Sequence, residues 1–283
     1  MPDRRPRRPG PPAASPWQQA RRPAPREALP EPRAPRPAGE QRLYGLNACL
    51  AAFARRPEDL RKVYLLESRI AALKPVLAWC VGHRLGYRVV EADDLDKLTG
   101  SRHHEGVCFD LRRREPLALD ALIAAQPAER DSLLVWLDGV GNPHNLGAVL
   151  RSAAHFGVGG VIVPAASALD LSGAAARVAE GGAEAVALAR VDDVRVAFAA
   201  LRRAGYAIGA TVPRDGTALY EAGLPRRLVL VFGAEGEGMD RALVQAADLR
   251  LTIPGSGAVE SLNIAASAAV AFAEWWRQVR VGG

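Results

Sequence analysis

An α/β fold dominated by a parallel sheet is what this 283-residue sequence predicts, and three observations predict it. Short apolar runs recur at 133–137, 160–163, 185–189, 207–211, 228–232 and 249–253, most of them separated by stretches of helical periodicity. Runs that are apolar on both faces belong to strands covered by helices on both sides, which is the setting of a parallel sheet. A smaller alternation of helix and strand spans residues 42–111, and the first forty residues have the composition of neither region. The expected organisation is a disordered Pro/Arg-rich tail over 1–40, a small α/β domain over 41–114 and a larger α/β domain over 115–283.

Residues 1–40 hold nine Arg, no Lys, four acids and 12 of the 21 prolines, so they carry +5 of the formal net charge of +6. The remainder is close to neutral. With few apolar side chains the segment cannot offset its ordering entropy. Its arginines suit a polyanion such as RNA and equally suit a solubilising tail. It has no apolar h-region, and its prolines oppose the amphipathic helix of a transit peptide. No uninterrupted apolar run reaches the length of a membrane span, since even the C-terminal helix meets Glu274 and Arg277. Cys49, Cys80 and Cys108 sit singly in apolar runs without Cys-x-x-Cys spacing, which reads as buried reduced thiols. A soluble, cytoplasmic protein is the expectation.

In the small domain the patterns predict helices over 46–55, 73–85 and 93–98 and strands over 62–66, 87–90 and 107–111. Charges cluster over 112–115, where the linker is placed, and Arg112 to Arg114 form a local basic patch suited to RNA. His103, His104 and Glu105 invite a metal reading, but neighbours in an extended segment point to opposite faces and no further His or Cys has ligand spacing. A polar loop that touches RNA is the preferred reading. The larger domain opens with a helix over 117–125, and ligands of such sheets bind outside the carboxyl ends of the strands.

Three polar loops follow apolar strands. In the first, 139–152, Asn145 is placed to cap a helix running to about Phe156. Arg151 lies six residues on and reaches the same end only by bending back; a surface ion pair is the alternative. In the second, 230–239, Glu235 projects between glycines that include Gly233, without the order of a dinucleotide or phosphate loop. In the third, 253–267, Ile253 leads through Gly255 and Gly257 to Ser261, expected to cap a helix reaching about Val279. That helix is Ala-rich on several sides and carries Trp275-Trp276, so it needs burial on more than one face.

Together the loops read Asn-Pro-His-Asn-Leu-Gly-Ala-x-x-Arg (142–151), Phe-Gly-Ala-Glu-Gly-Glu-Gly-Met (232–239) and Ile-Pro-x-x-Gly-x-x-x-Ser-Leu-Asn (253–263). In this order they resemble the three motifs of the SpoU (TrmH-like) family of SPOUT RNA 2′-O-ribose methyltransferases. The resemblance covers 133–280, and 42–111, opening Tyr44-Gly45-Leu46-Asn47-Ala48, looks like the L30e-like substrate-binding domain of the ribosomal-RNA branch. Asn142 departs from the Asp of many relatives, Ala265-Ala266 stands where Ser-Val is frequent, and Gly255-Ser256 is more open than the bulky residue often found there.

The resemblance implies a SPOUT domain with a deep trefoil knot, a homodimer, and S-adenosyl-L-methionine as cofactor; no metal is expected, from the His and Cys spacing. Backbone groups around Gly233, Ile253 and Leu262 would hold its adenosine, with Thr211 at a neighbouring strand end. Arg151 would accept the 2′-hydroxyl proton or organise its acceptor, and Asn145, Glu235, Ser261 and Asn263 would orient Arg151, ribose and phosphate. The implied substrate is 23S ribosomal RNA, by analogy with the domain arrangement. The alternatives are a tRNA 2′-O-methyltransferase and a catalytically idle RNA-binding ribosome-assembly factor. A nucleotide-dependent oxidoreductase would need the glycine fingerprint that is missing here.

Overall fold

The computed structural model describes residues 39–127, 129–167, 169–234 and 238–281. The tail up to residue 38 and Glu235 therefore lie outside the described residues.

The first part of the chain runs β1 (Glu40–Tyr44), α1 (Leu46–Arg55), β2 (Leu60–Leu65), α2 (Lys74–Gly82), β3 (Tyr87–Val89), α3 (Ala92–Thr99) and β4 (Val107–Arg112). Its four strands lie in the order β1-β4-β2-β3, with β4 antiparallel to β1 and β2, and β3 parallel to β2. Residues 107–111 of β4 are all buried, although one of them is Asp110. The charge is tolerated because Arg42 on β1 grips it through two nitrogens, at 2.7 and 2.9 Å. Cys49, Cys80 and Cys108 are buried free thiols, and burial pushes the Cys49 thiol well up.

The second part runs α4 (Leu119–Ala124), β5 (Ser132–Leu137), α5 (Pro143–Phe156), β6 (Gly160–Pro164), α6 (Gly173–Ala179), α7 (Gly182–Ala185), β7 (Ala187–Val191) and α8 (Val194–Arg203). It continues with β8 (Ala207–Thr211), β9 (Thr217–Ala218), β10 (Arg227–Phe232), α9 (Arg241–Ala246), β11 (Leu249–Thr252) and α10 (Ile264–Trp276). Seven strands form one sheet in the order β7-β6-β5-β10-β8-β11-β9, and every pairing is parallel. Each face has its own core. Leu133, Val135 and Leu137 of β5 enter one, while Leu134 and Trp136 enter the other, the two-residue period of a strand buried on both sides. Late in the chain, β10 inserts between β5 and β8, and β11 then pairs with the far side of β8. The connections must cross over β8, the out-of-order arrangement that a trefoil-knotted SPOUT fold requires and that simple sheets avoid.

The two sheets are joined by α6 and α7. Ala176 of α6 enters the core of the small sheet. Arg56, beyond α1, makes a buried two-point contact with Glu184 of α7, at 2.9 and 2.7 Å. The basic stretch expected to face RNA makes ion pairs while its side chains stay 43–62% exposed, Arg113 and Arg114 across this junction and Arg112 within the small part itself. Arg112 pairs with Asp59 at 2.6 Å, Arg113 with Asp170 at 2.6 Å and Arg114 with Glu184 at 3.3 Å. The His pair is likewise structural on one side, for buried His104 accepts from the Gly106 amide at 2.9 Å and lies 3.2 Å from Asp96, while His103 is exposed. Among the described residues no helix is long and apolar enough to cross a membrane, and no group of side chains is arranged to hold a metal ion.

Candidate active site

The first and third loops meet at two helix N-termini. In α5, Pro143 occupies the first helical turn, where its missing N–H costs nothing. The cap before it is Asn142, which accepts the His144 amide at 2.9 Å, so Asn145 is not the cap expected from the sequence. Freed from that role, Asn145 accepts at Oδ1 a hydrogen bond of 3.1 Å from Nδ2 of Asn263. Asn263 in turn caps α10, its Oδ1 accepting the Ala265 amide at 2.9 Å. Ser261 was expected to cap this helix; it lies two residues before the cap, exposed in the loop.

Two glycines explain how tightly α5 is enclosed. A Cβ on Gly147 would lie 2.5 Å from the Ala175 carbonyl oxygen, and one on Gly182 would lie 2.6 Å from that of Leu150. The Gly of the first motif therefore serves helix packing, letting α6 press against α5.

Arg151 points elsewhere. Six residues along a helix place it roughly 120° around the axis from Asn145 and nearly two turns further on. Its guanidinium is exposed and lies 3.8 Å from Glu180, which follows α6. The structure thus joins Asn145 to Asn263 and does not bring Arg151 to them within one chain. Glu180 and its second partner, Asn47 of α1, 2.6 Å away, escaped the sequence reading. A faint signal existed: Glu180 takes a left-handed conformation (φ 51°) directly before Gly181 and Gly182, where glycine would be unstrained.

Thr211, Gly233 and Ile253 end β8, β10 and β11 or follow them directly, and these three strands are neighbours. They share one carboxyl edge. The Thr211 hydroxyl donates to the Val231 carbonyl at 2.8 Å, tying β8 to β10. A Cβ on Gly233 would lie 2.5 Å from the Met239 amide nitrogen, so only glycine lets the chain fold back there. Ile253 is half-buried against the main core, whereas Leu262 and Val259 are 46% and 72% exposed. Asp138, just beyond β5, has its carboxyl pushed up from the ordinary value, first by burial. Its Oδ2 accepts the Asp240 amide at 3.5 Å.

A parallel sheet with this strand order, carrying polar loops at one carboxyl edge, defines the SPOUT class of α/β proteins. The same architecture is found in an AdoMet-bound rRNA methyltransferase from Sinorhizobium meliloti, with a TM-score of 0.72, 22% identity, and coverage of 85% of this chain and 88% of that one. The sequence profile of the SpoU rRNA Methylase family matches residues 132–273, and that of RNA 2′-O ribose methyltransferase substrate binding matches 42–117. The chain belongs to the SpoU rRNA methylase family. It is 41% identical over 239 residues to the "Uncharacterized tRNA/rRNA methyltransferase YfiF" of Escherichia coli O157:H7, covering 84% of this chain and 68% of that protein. It is 34% identical over 242 residues to the 23S rRNA (guanosine-2′-O-)-methyltransferase RlmB of Salmonella typhimurium, covering 84% of this chain and 98% of that protein.

Proposed function

We propose that this SpoU-family methyltransferase moves a methyl group from S-adenosyl-L-methionine to a ribose 2′-hydroxyl of 23S ribosomal RNA, working in the cytoplasm as a homodimer. The observation that carries the reading is the Asn145–Asn263 hydrogen bond, which fastens two of the three motif loops together at one end of the sheet. The division of labour along the chain is part of the proposal: 41–114 engages RNA and 115–283 carries the chemistry.

The cofactor edge fits its guest. Gly233 leaves room only for backbone, Ile253 and exposed Leu262 offer apolar surface for an adenine, and the half-buried Thr211 stands at the adjoining strand end. When bound, S-adenosylmethionine supplies an electrophilic methyl group. The residues of the chain must then present the ribose and remove its proton. Asn145, Ser261 and Asn263 orient ribose and phosphate by hydrogen bonding, together with Glu235, which lies outside the described residues. A guanidinium has five donors and no acceptor, so Arg151 acts by holding the phosphate or water that takes the 2′-hydroxyl proton.

Since Arg151 faces away from Asn145 in its own chain, the site is assigned to a dimer in which the two come from different subunits. The α10 helix suits this arrangement. Ala268, Phe272 and Trp275 are buried inward, while Trp276 is 37% exposed on another side.

The similarity to RlmB favours ribosomal RNA, and the printed name of the YfiF relative keeps tRNA as a second substrate class. Ribose-methylation maps of total RNA from cells with and without the gene distinguish them. Loss of one 2′-O-methyl group in 23S RNA is expected; loss confined to tRNA would replace the substrate assignment, and an unchanged map would remove the function.

A further inference from the structure

We propose that Glu180 is a positioning residue for Arg151, and that through Asn47 it ties the orientation of Arg151 to the docking of the small RNA-binding sheet. The inference rests on the reading of Arg151 given above.

One carboxylate serves two partners: Oε1 lies 3.8 Å from Nη1 of Arg151, and Oε2 accepts from Nδ2 of Asn47 at 2.6 Å. Asn47 stands at the start of α1, and that helix is seated against the segment carrying Glu180. A Cβ on Gly181 would lie 2.8 Å from the Cβ of Ala51, and one on Gly45 would lie 2.7 Å from Cγ of Arg177. Glu105 reinforces the seat, accepting the Leu46 amide at 3.0 Å and lying 3.8 Å from Arg177. A shift of α1 therefore moves the carboxylate that faces Arg151.

The ion pair with Arg151 does not by itself explain Glu180. Its pair with Arg151 is long, and the Arg151 side chain is 64% exposed, a setting in which ion pairs contribute little. Its backbone is left-handed, at φ 51° and ψ 38°, a conformation that glycine adopts without strain and that glutamate does not. The Asn47 bond to Oε2 offsets part of that strain, and the second oxygen, turned to Arg151, is the one to which the positioning role is assigned.

The test uses full-length Glu180→Gly, Glu180→Gln, Asn47→Ala, the Asn47→Ala/Glu180→Gly double variant and Arg151→Ala. Each is assayed for kcat with RNA, Kd for S-adenosylmethionine and melting temperature. Glu180→Gly is expected to melt close to wild type, relief of the left-handed strain offsetting the lost Asn47 bond, and to bind the cofactor normally, while kcat falls about 10- to 100-fold, as misorientation of a reacting group does. Glu180→Gln, which keeps the Asn47 contact and removes the charge, is expected to fall as well. Asn47→Ala lowers kcat less, and the double variant is no worse than Glu180→Gly alone, because both act through one carboxylate. Wild-type kcat in Glu180→Gly alongside an inactive Arg151→Ala overturns the inference. Wild-type kcat in Arg151→Ala overturns instead the reading of Arg151, and the positioning role falls with it.

Discussion

Asn263 uses its side chain twice: the amide donates to Asn145 at 3.1 Å, and the carbonyl oxygen caps α10 through the Ala265 amide at 2.9 Å. The two uses are separable by chemistry. An aspartate at 263 keeps the capping oxygen and lacks the donor, whereas alanine loses both. Asn263→Ala is expected to lose about 1 kcal/mol of stability with the cap. Asn263→Asp is expected to melt near wild type yet lose methyl transfer as severely as the alanine variant. Thermal denaturation paired with a methylation assay checks this, and an active Asn263→Asp would make the residue a cap only.

Gly147 supplies a second test, of packing. Its missing side chain admits the Ala175 carbonyl at 2.5 Å from where a Cβ would stand, and Val178 Cβ at 2.7 Å. Backbone cannot yield as a flexible side chain does. Gly147→Ala is expected to cost about 1–3 kcal/mol, the usual range for overpacking, read from the urea midpoint at unchanged slope.

The junction of the two sheets should respond strongly to loss of Glu184. Its carboxylate is 3% exposed and faces Arg56, which is 6% exposed, so Glu184→Ala leaves a guanidinium buried with Asp59 and the Arg112 carbonyl as its remaining partners. The expected loss is about 3 kcal/mol by urea denaturation.

Acid should loosen the C-terminal turn. Arg277 first, and then Gln278, hold the Glu274 carboxyl below the usual range through hydrogen bonds of 2.7–2.8 Å, and burial opposes them. Gln278 in turn accepts the Leu224 amide at 2.9 Å and donates to the Ala222 carbonyl at 3.0 Å. A carboxylate whose folded pKa is depressed stabilises the fold above its unfolded value, near ~4.3, and that contribution is lost as pH falls through the folded value. Melting temperature should therefore fall below about pH 4 by more in wild type than in Glu274→Gln.

Six of the seven strands of the large sheet were legible because a run such as Leu133 to Leu137 is buried on both faces and admits no polar residue, whereas the two-residue β9 carries no such run. β1 was not, since in Glu40–Tyr44 only Leu43 and Tyr44 are buried and the rest reads as the end of a charged tail. The motif loops were found at the correct strand ends, but the first and the third each offered two polar capping candidates close together. The choice of Asn142 and Asn263 over Asn145 and Ser261 depends on backbone geometry that adjacent residues do not reveal. Least legible were contacts between distant segments. Arg112 to Arg114 look like a free basic patch until Asp59, Asp170 and Glu184 arrive from 53 to 70 positions away. Glu180 was hidden for the same reason, with Asn47 133 positions away.

Purified full-length protein, radiolabelled S-adenosylmethionine and deproteinised 23S RNA provide the most direct measurement, read as label in alkali-resistant dinucleotides. A methyl group on the 2′-oxygen blocks the alkaline cleavage that a free 2′-hydroxyl promotes. The proposed function predicts label in one such dinucleotide from the wild-type protein and none from Arg151→Ala. Label found only in alkali-labile nucleotides would contradict ribose methylation as the activity of this chain, and no transfer by a protein that binds the cofactor would contradict 23S RNA as its substrate.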